Sequence, residues 1–279
     1  MAAAFAELSS TIAAALGSVG TEETVAVGLA CLCSQIVLWF AFTYVLPAGP
    51  WTSSPGFSAH QVVVFPLMIY MTYMGFVGWF GVLGAPPTTV TERVLGRNPT
   101  GEHLAQFALC ELLLWDIPTG LFVKALRDPV MVAHHVGMLI VAYGATKATW
   151  SYYAIFFFGT IEASGIFLTF VDLFHPKNRE WTRLAETHSV VGAVNNVARG
   201  GFVVAYMAMR ACYFPYVVLV DAIPDCWAVL HMPLDKRGGV SDAALWVPCA
   251  LGVAFCVLQE YWALLIIKQI RKALRPKKA

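Results

Sequence analysis

The stretch LRDPVMVAHHVGMLIVAYG, Leu126 to Gly144, sets two adjacent histidines, His134 and His135, just inside a run of apolar residues. An imidazole there can act as general base, nucleophile or metal ligand. Neighbouring helix positions diverge by about 100°, so the pair does not grip one metal ion, and no metal site is expected. One ring is expected to face a reaction site while the other orients it or contacts a neighbouring helix. Asp116 and Glu162, also in apolar surroundings, are carboxylates that can hold an imidazole in one tautomer. Arg199 can receive a phosphate or carboxylate, and Asn195 and Asn196 precede it by four and three residues, which puts at least one of them on its face. His134, His135, Asp116 and Glu162 are thus the candidate catalytic residues, and Arg199, Asn195 and Asn196 the candidate substrate-binding residues. Interhelical hydrogen bonding is an equal reading for the two asparagines, and packing is the plainer one for Glu111 and Asp172 near helix ends.

Composition says what must position these groups. Of 279 residues, 58% are hydrophobic and 13% charged, against roughly 25% charged in a soluble domain. Several segments exceed the ~20 apolar residues that cross a bilayer as a helix. The expected fold class is therefore an all-α polytopic membrane protein. A net charge of +1 gives no footing for nucleic acid. Seven cysteines are scattered, mostly in apolar segments, as buried free thiols. Cys212 and Cys226 flank an expected loop and are the pair to bridge if that loop faces an oxidising lumen. The N-terminal MAAAFAELSSTIAAALGSVG has no basic n-region, so it reads as a short amphipathic or interfacial helix rather than a cleaved signal.

Seven spans are expected: 24–46, 60–84, 102–124, 129–146, 150–174, 188–213 and 243–270, followed by a basic tail. The segment PYVVLVDAIPDCWAVLHMP is apolar but interrupted by Asp221, Pro224, Asp225 and Pro233, and reads as re-entrant or interfacial. Residues 1–58 form an N-terminal segment with a leading helix, and 59–279 one membrane domain. With the N-terminus outside, eleven lysines and arginines fall on the cytosolic side and six on the other, so the C-terminus is expected in the cytosol. Asp116 then lies about 12 Å along the helix axis from Lys124. His134 and His135, Glu162 and Arg199 lie at overlapping depths from the same side, as a shared buried site would require. Pro118, two residues after Asp116, is expected to loosen that helix.

The D-P-x-x-x-x-H-H run (Asp128, Pro129, His134, His135), the aspartate of the preceding helix (Asp116), the acidic residue of the following one (Glu162) and the stretch NNVARGGF resemble the TLC-domain family over about residues 60–270. That family includes the ceramide synthases, the translocation-associated membrane proteins and smaller lipid-homeostasis proteins. The resemblance implies a six-helix barrel around a lipid-sized cavity, preceded by one leading helix, in the endoplasmic reticulum. It implies acyl transfer from acyl-CoA, a co-substrate rather than a bound cofactor, to a sphingoid base or related lipid, with the histidine pair central. Where ceramide synthases carry His-Asp in the next helix, this chain has Ile161 and Glu162, which is closer to the small lipid-homeostasis proteins. A non-catalytic binder of an acyl chain, sphingoid base or phospholipid is therefore an equal expectation. A structural subunit of a larger membrane complex, or a homo-oligomer, is a further one.

Overall fold

The computed structural model describes residues 2–16, 20–147 and 149–273, and no strand occurs among them. Six helical stretches are long and apolar enough to cross a bilayer: Glu22–Val45, Pro55–Trp79, Val90–Phe122, Ser151–Leu173, Ser189–Leu230 and Asp242–Lys272. Pro129–Ala145 is apolar but shorter. The chain is an all-α polytopic membrane protein. We number its helices α1 (Ala2–Leu16), α2 (Glu22–Val45), α3 (Pro55–Trp79), α4 (Val90–Leu95), α5 (residues 99–122), α6 (Pro129–Ala145), α7 (Ser151–Phe157), α8 (Ala163–Leu173), α9 (Arg179–Thr187), α10 (Ser189–Leu230) and α11 (Asp242–Ala273).

Local chemistry explains the helix starts. Thr21 and Thr89 each close a capping box, with Thr24 and Glu92 respectively, and Asn98 caps α5 ahead of Pro99. Asp128 accepts from the Val130 and Met131 amides, and Pro129 occupies the first helical position, where its missing N–H costs nothing. The D-P pair is therefore a helix start, and it sets His134 and His135 in the second turn of α6.

Three prolines within the longer helices follow widened turns. π-turns span Leu112–Asp116, Tyr206–Tyr213 and Val217–Ala222, each ending two residues before Pro118, Pro215 or Pro224. A proline ring presses on the carbonyl a turn back and offers it no N–H. A π-turn relieves this by moving the bonding register one residue on. In α5 the Ile117 amide thus reaches the Leu112 carbonyl. This device also corrects the expected re-entrant segment. Residues 214–230 continue α10 without a break, giving a 42-residue helix about 63 Å long, far beyond the ~30 Å hydrocarbon layer. Its far end is tied down. Asp225 accepts from Arg93 Nε (2.5 Å), Arg93 Nη2 (2.7 Å) and the Tyr153 hydroxyl (2.6 Å). Cys226 lies on the same helix as Cys212, about 20 Å away, so the expected pairing is excluded. The Cys226 thiol instead meets the Leu245 carbonyl at 3.4 Å.

The fifth expected span is likewise not one helix. It breaks at Phe158 and Gly159, makes a 3-10 turn over Thr160–Glu162, and resumes as α8. The break is where α3 crosses closest. A Cβ on Gly75 would overlap the Thr160 amide nitrogen, and one on Gly159 would stand 2.5 Å from the Gly75 Cα. Small residues at such crossings let backbones touch. Gly75→Val must part the two segments. We expect it to lower stability by about 3 kcal/mol or more, seen as loss of the monodisperse protein in detergent size-exclusion chromatography.

Buried residues concentrate on α5 and α7, from Leu104, Ala105 and Ala108 to Tyr153, Ile155 and Phe156, so these two elements form the centre. Val190, Val197 and Val204, seven residues apart on α10, face outward at about 70% exposure, as does Val257 on α11. An apolar outer stripe suits lipid. At one end of the bundle the link 174–178 leads into the polar α9. His175 there is held below its ordinary pKa, first by burial and then by Lys177 and Arg199.

Candidate functional site

Asp116 stands 5% exposed at the end of the α5 π-turn. Its Oδ2 lies 2.5 Å from His135 Nδ1 and its Oδ1 2.8 Å from His60 Nε2. An ionised carboxylate only accepts, so each imidazole must present an N–H to it. This puts a proton on His135 Nδ1, and in the neutral ring the lone pair is then on Nε2, the orientation a general base needs. His60 stacks on Trp115 with centroids 4.9 Å apart, and its buried Nδ1 has no partner among the described residues.

His134 looks the other way. Its ring meets Phe255 edge-on at 5.0 Å and Trp262 at 5.7 Å, both on α11, and its Nδ1 is buried without a partner among the described residues. The His134 and His135 centroids are 5.6 Å apart. The divergence expected of adjacent positions is thus realised: His135 turns to the carboxylate and His134 to α11.

Glu162 ends the 3-10 turn and pairs with Arg210, Oε2 to Nη2 at 2.9 Å, while Arg210 Nε donates to Ser164 Oγ at 2.7 Å. Both ends of the pair are partly buried, with side chains 12% and 16% exposed. Glu162 and Arg210 are near enough to act electrostatically on His135, so α3, α5, α6, α10 and the 160–162 turn all contribute to one polar layer.

Arg199 does not join that layer. It is exposed, donates to Asn195 Oδ1 at 2.8 Å, and donates to the Phe174 carbonyl at 3.0 Å, capping the end of α8. Asn195 therefore serves Arg199, and Asn196 is exposed. The position expected of Arg199 is filled by Arg210, which α10 carries inward because the helix does not stop at Tyr213. Sequence reading also left out His60. Its one visible trace was a histidine at the first position of the expected span 60–84, with an aspartate in another span in need of donors.

A narrow apolar pocket, with about 30 Å³ of open space, lies beside this layer, lined by α6, α7, α10 and α11, so that an acyl chain enters it only if those walls part. On α6 it takes Met138, Val141 and Ala145, which with His134 make one i, i+4, i+7, i+11 stripe. Phe255 lines the cavity and touches His134, so the histidine stands at its polar end. At the other end is Trp150, at φ +65°, strained for a bulky residue and held by its amide to the Val94 carbonyl (2.8 Å) and its indole to the Ala244 carbonyl (3.2 Å). A second, roomier pocket, about 220 Å³, lies between α3, α8 and α9, with Trp51, Trp181, Ser58 and Gln61 in its walls.

A single-carboxylate, two-imidazole centre next to an apolar chamber inside a helical membrane bundle invites comparison with lipid-handling families. The TLC domain model matches residues 31–268. The chain belongs to the TLC-domain family. The TLC match begins within α2, so the leading helix is partly inside the family region, where the motifs alone had left it out. No curated protein and no solved structure gave a significant match. Membership supports a membrane role in lipid handling, and places the D-P-to-histidine start of α6 and the Glu162 turn within the TLC region.

Proposed function

We propose that this TLC-domain protein transfers a fatty acyl group from acyl-CoA to a lipid acceptor, with His135 as general base. The observation that carries the reading is the Asp116–His135 contact beside an apolar pocket between α6, α7, α10 and α11. The acyl chain enters this chamber as its walls part, with its thioester carbonyl at the His134 end. His135 Nε2 takes the proton from the attacking amine or hydroxyl as the new bond to the carbonyl carbon forms. The carbon–sulfur bond then breaks, and the same imidazole returns the proton to the CoA sulfur. Asp116 holds the ring and stabilises its transient charge. Glu162 and Arg210 shape the layer. Acceptors of the sphingoid-base type and phospholipids with a free hydroxyl both suit it. The endoplasmic reticulum is the proposed membrane, with the N-terminus lumenal and the C-terminus cytosolic. The loops holding Lys124, Arg127, Lys177, Arg179 and Arg183 then face acyl-CoA.

A second reading is lipid binding without chemistry, and the specific observation favouring it is His60. With two imidazoles on one carboxylate, Asp116 can serve as a structural node joining α3 to α6. Both readings need a chain in the chamber. Ala154, 1% exposed, lines it. Ala154→Leu is expected to cost about 1–3 kcal/mol and to remove co-purifying acyl lipid, measured by native mass spectrometry. Unchanged lipid content in a folded Ala154→Leu protein would rule the chamber out as the acyl site.

A further inference from the structure

The roomier of the two pockets takes no part in the acyl-transfer reading. Five of its ten lining residues are aromatic, among them Trp51, Phe65, Phe170 and Trp181, and none is charged. Phe42 stacks on Trp51 with centroids 6.0 Å apart, and Phe65 meets Phe170 edge-on at 5.1 Å, so ring packing sets the walls. The Trp181 indole donates to Ser58 Oγ at 3.3 Å, which ties α9 across the start of α3. Gln61 lies one turn further along α3. It is 6% exposed, lines the pocket, and makes no hydrogen bond with any described residue. A buried carboxamide left without a partner is costly, and this one stands beside about 220 Å³ of open space.

The walls define what fits. With no charged group among them, an ionic head group would be buried unpaired. A carboxamide both accepts and donates, so a hydroxyl answers it fully where an ester carbonyl, which only accepts, answers half. Flat ring faces suit a rigid hydrocarbon, which loses little conformational freedom on binding, over a flexible chain. Depth agrees. Gln61 lies six residues past Pro55, about 9 Å along the helix and under the polar α9, near the boundary between head groups and hydrocarbon. Val62, also in the wall, is 50% exposed and leaves a lateral entry from lipid. A rigid, uncharged lipid with one hydroxyl at that boundary is a sterol. We propose that this pocket binds a sterol by its hydroxylated ring, with Gln61 hydrogen-bonded to the hydroxyl, as a site separate from that of Asp116 and His135.

The test needs no turnover. The full-length protein in phosphatidylcholine nanodiscs is photolabelled with a diazirine-bearing cholesterol, and adducts are mapped by peptide mass spectrometry. Labelling is competed with cholesterol, with its 3α-epimer epicholesterol and with dioleoylglycerol. Adducts are expected within residues 58–65 and 169–181. The epimer turns its hydroxyl away from Gln61 on an unchanged hydrocarbon. Cholesterol should therefore compete about two- to tenfold better, the net worth of one neutral hydrogen bond. This comparison is made on wild type and needs no variant to fold. Gln61→Leu, similar in size, should keep the labelling and lose the discrimination between epimers. Glu186→Gln, at an exposed site on α9, should keep both. Labelling only elsewhere, equal competition by the two epimers, dioleoylglycerol competing as well as cholesterol, or discrimination that survives Gln61→Leu each overturns the inference.

Discussion

His135→Asn is expected to reduce acyl transfer by about 10²–10⁴-fold, the span that a positioned general base contributes, while leaving the protein folded. Asparagine can still donate its side-chain amide to Asp116, so the carboxylate keeps a partner in place of the Nδ1 contact at 2.5 Å. What is lost is the basic Nε2. Asp116→Asn should fall in the same range for a different reason. Its amide oxygen can accept from only one of the two imidazoles with the old geometry, which frees the His135 tautomer. His134→Ala should behave differently again. Its ring packs on Phe255 and Trp262 at the chamber end, so its removal should weaken acyl-CoA binding more than it slows chemistry. Initial rates over a range of acyl-CoA concentrations separate the three: kcat for His135 and Asp116, KM for His134.

Arg210→Met is expected to destabilise the protein by up to about 3 kcal/mol, because it strands the partly buried Glu162 carboxylate. Glu162→Gln alone should cost less, since an amide can still accept from the guanidinium. The double variant Arg210→Met/Glu162→Leu should recover most of the loss, for a buried ion pair is often matched by apolar groups of similar size. Thermal denaturation of wild type, Arg210→Met, Glu162→Leu and the double variant in one detergent completes the cycle. A coupling near zero between positions 162 and 210 would mean that the 2.9 Å contact contributes nothing.

The contrast between Arg199 and Arg210 shows what can be read from residues in order. Asp116, the histidine pair and the Asp128–Pro129 helix start are local features, and the membrane fold follows from apolar runs of sufficient length. Arg210 was hidden by its neighbours. Pro215, Asp221, Pro224 and Asp225 all argue for a helix end near Tyr213, and with an end there Arg210 falls in the last turn and counts with the basic residues of the non-cytosolic side. The helix continues because two π-turns absorb the prolines and because Arg93 and Tyr153 satisfy Asp225. Those partners lie 132 and 72 residues away in the chain, so no local pattern announces them. The break at Gly159 has the same origin. Nothing in FFFGTIE demands a stop; the backbone of Gly75 does. His60 belongs to the site only because α3 packs against the α5 π-turn region, a long-range fact of the fold.

The central claim is that His135, oriented by Asp116, acts as a base on an acyl thioester. The most direct measurement is mass spectrometry of the purified protein given palmitoyl-CoA and a long-chain amine or lysophospholipid, with wild type beside His135→Asn. Acyl-CoA consumed, free CoA released and an acylated acceptor formed by wild type, with all three lost in His135→Asn, is the predicted result. Acyl-CoA or lipid bound intact, with no product from wild type, would contradict it and make the chamber a binding site alone.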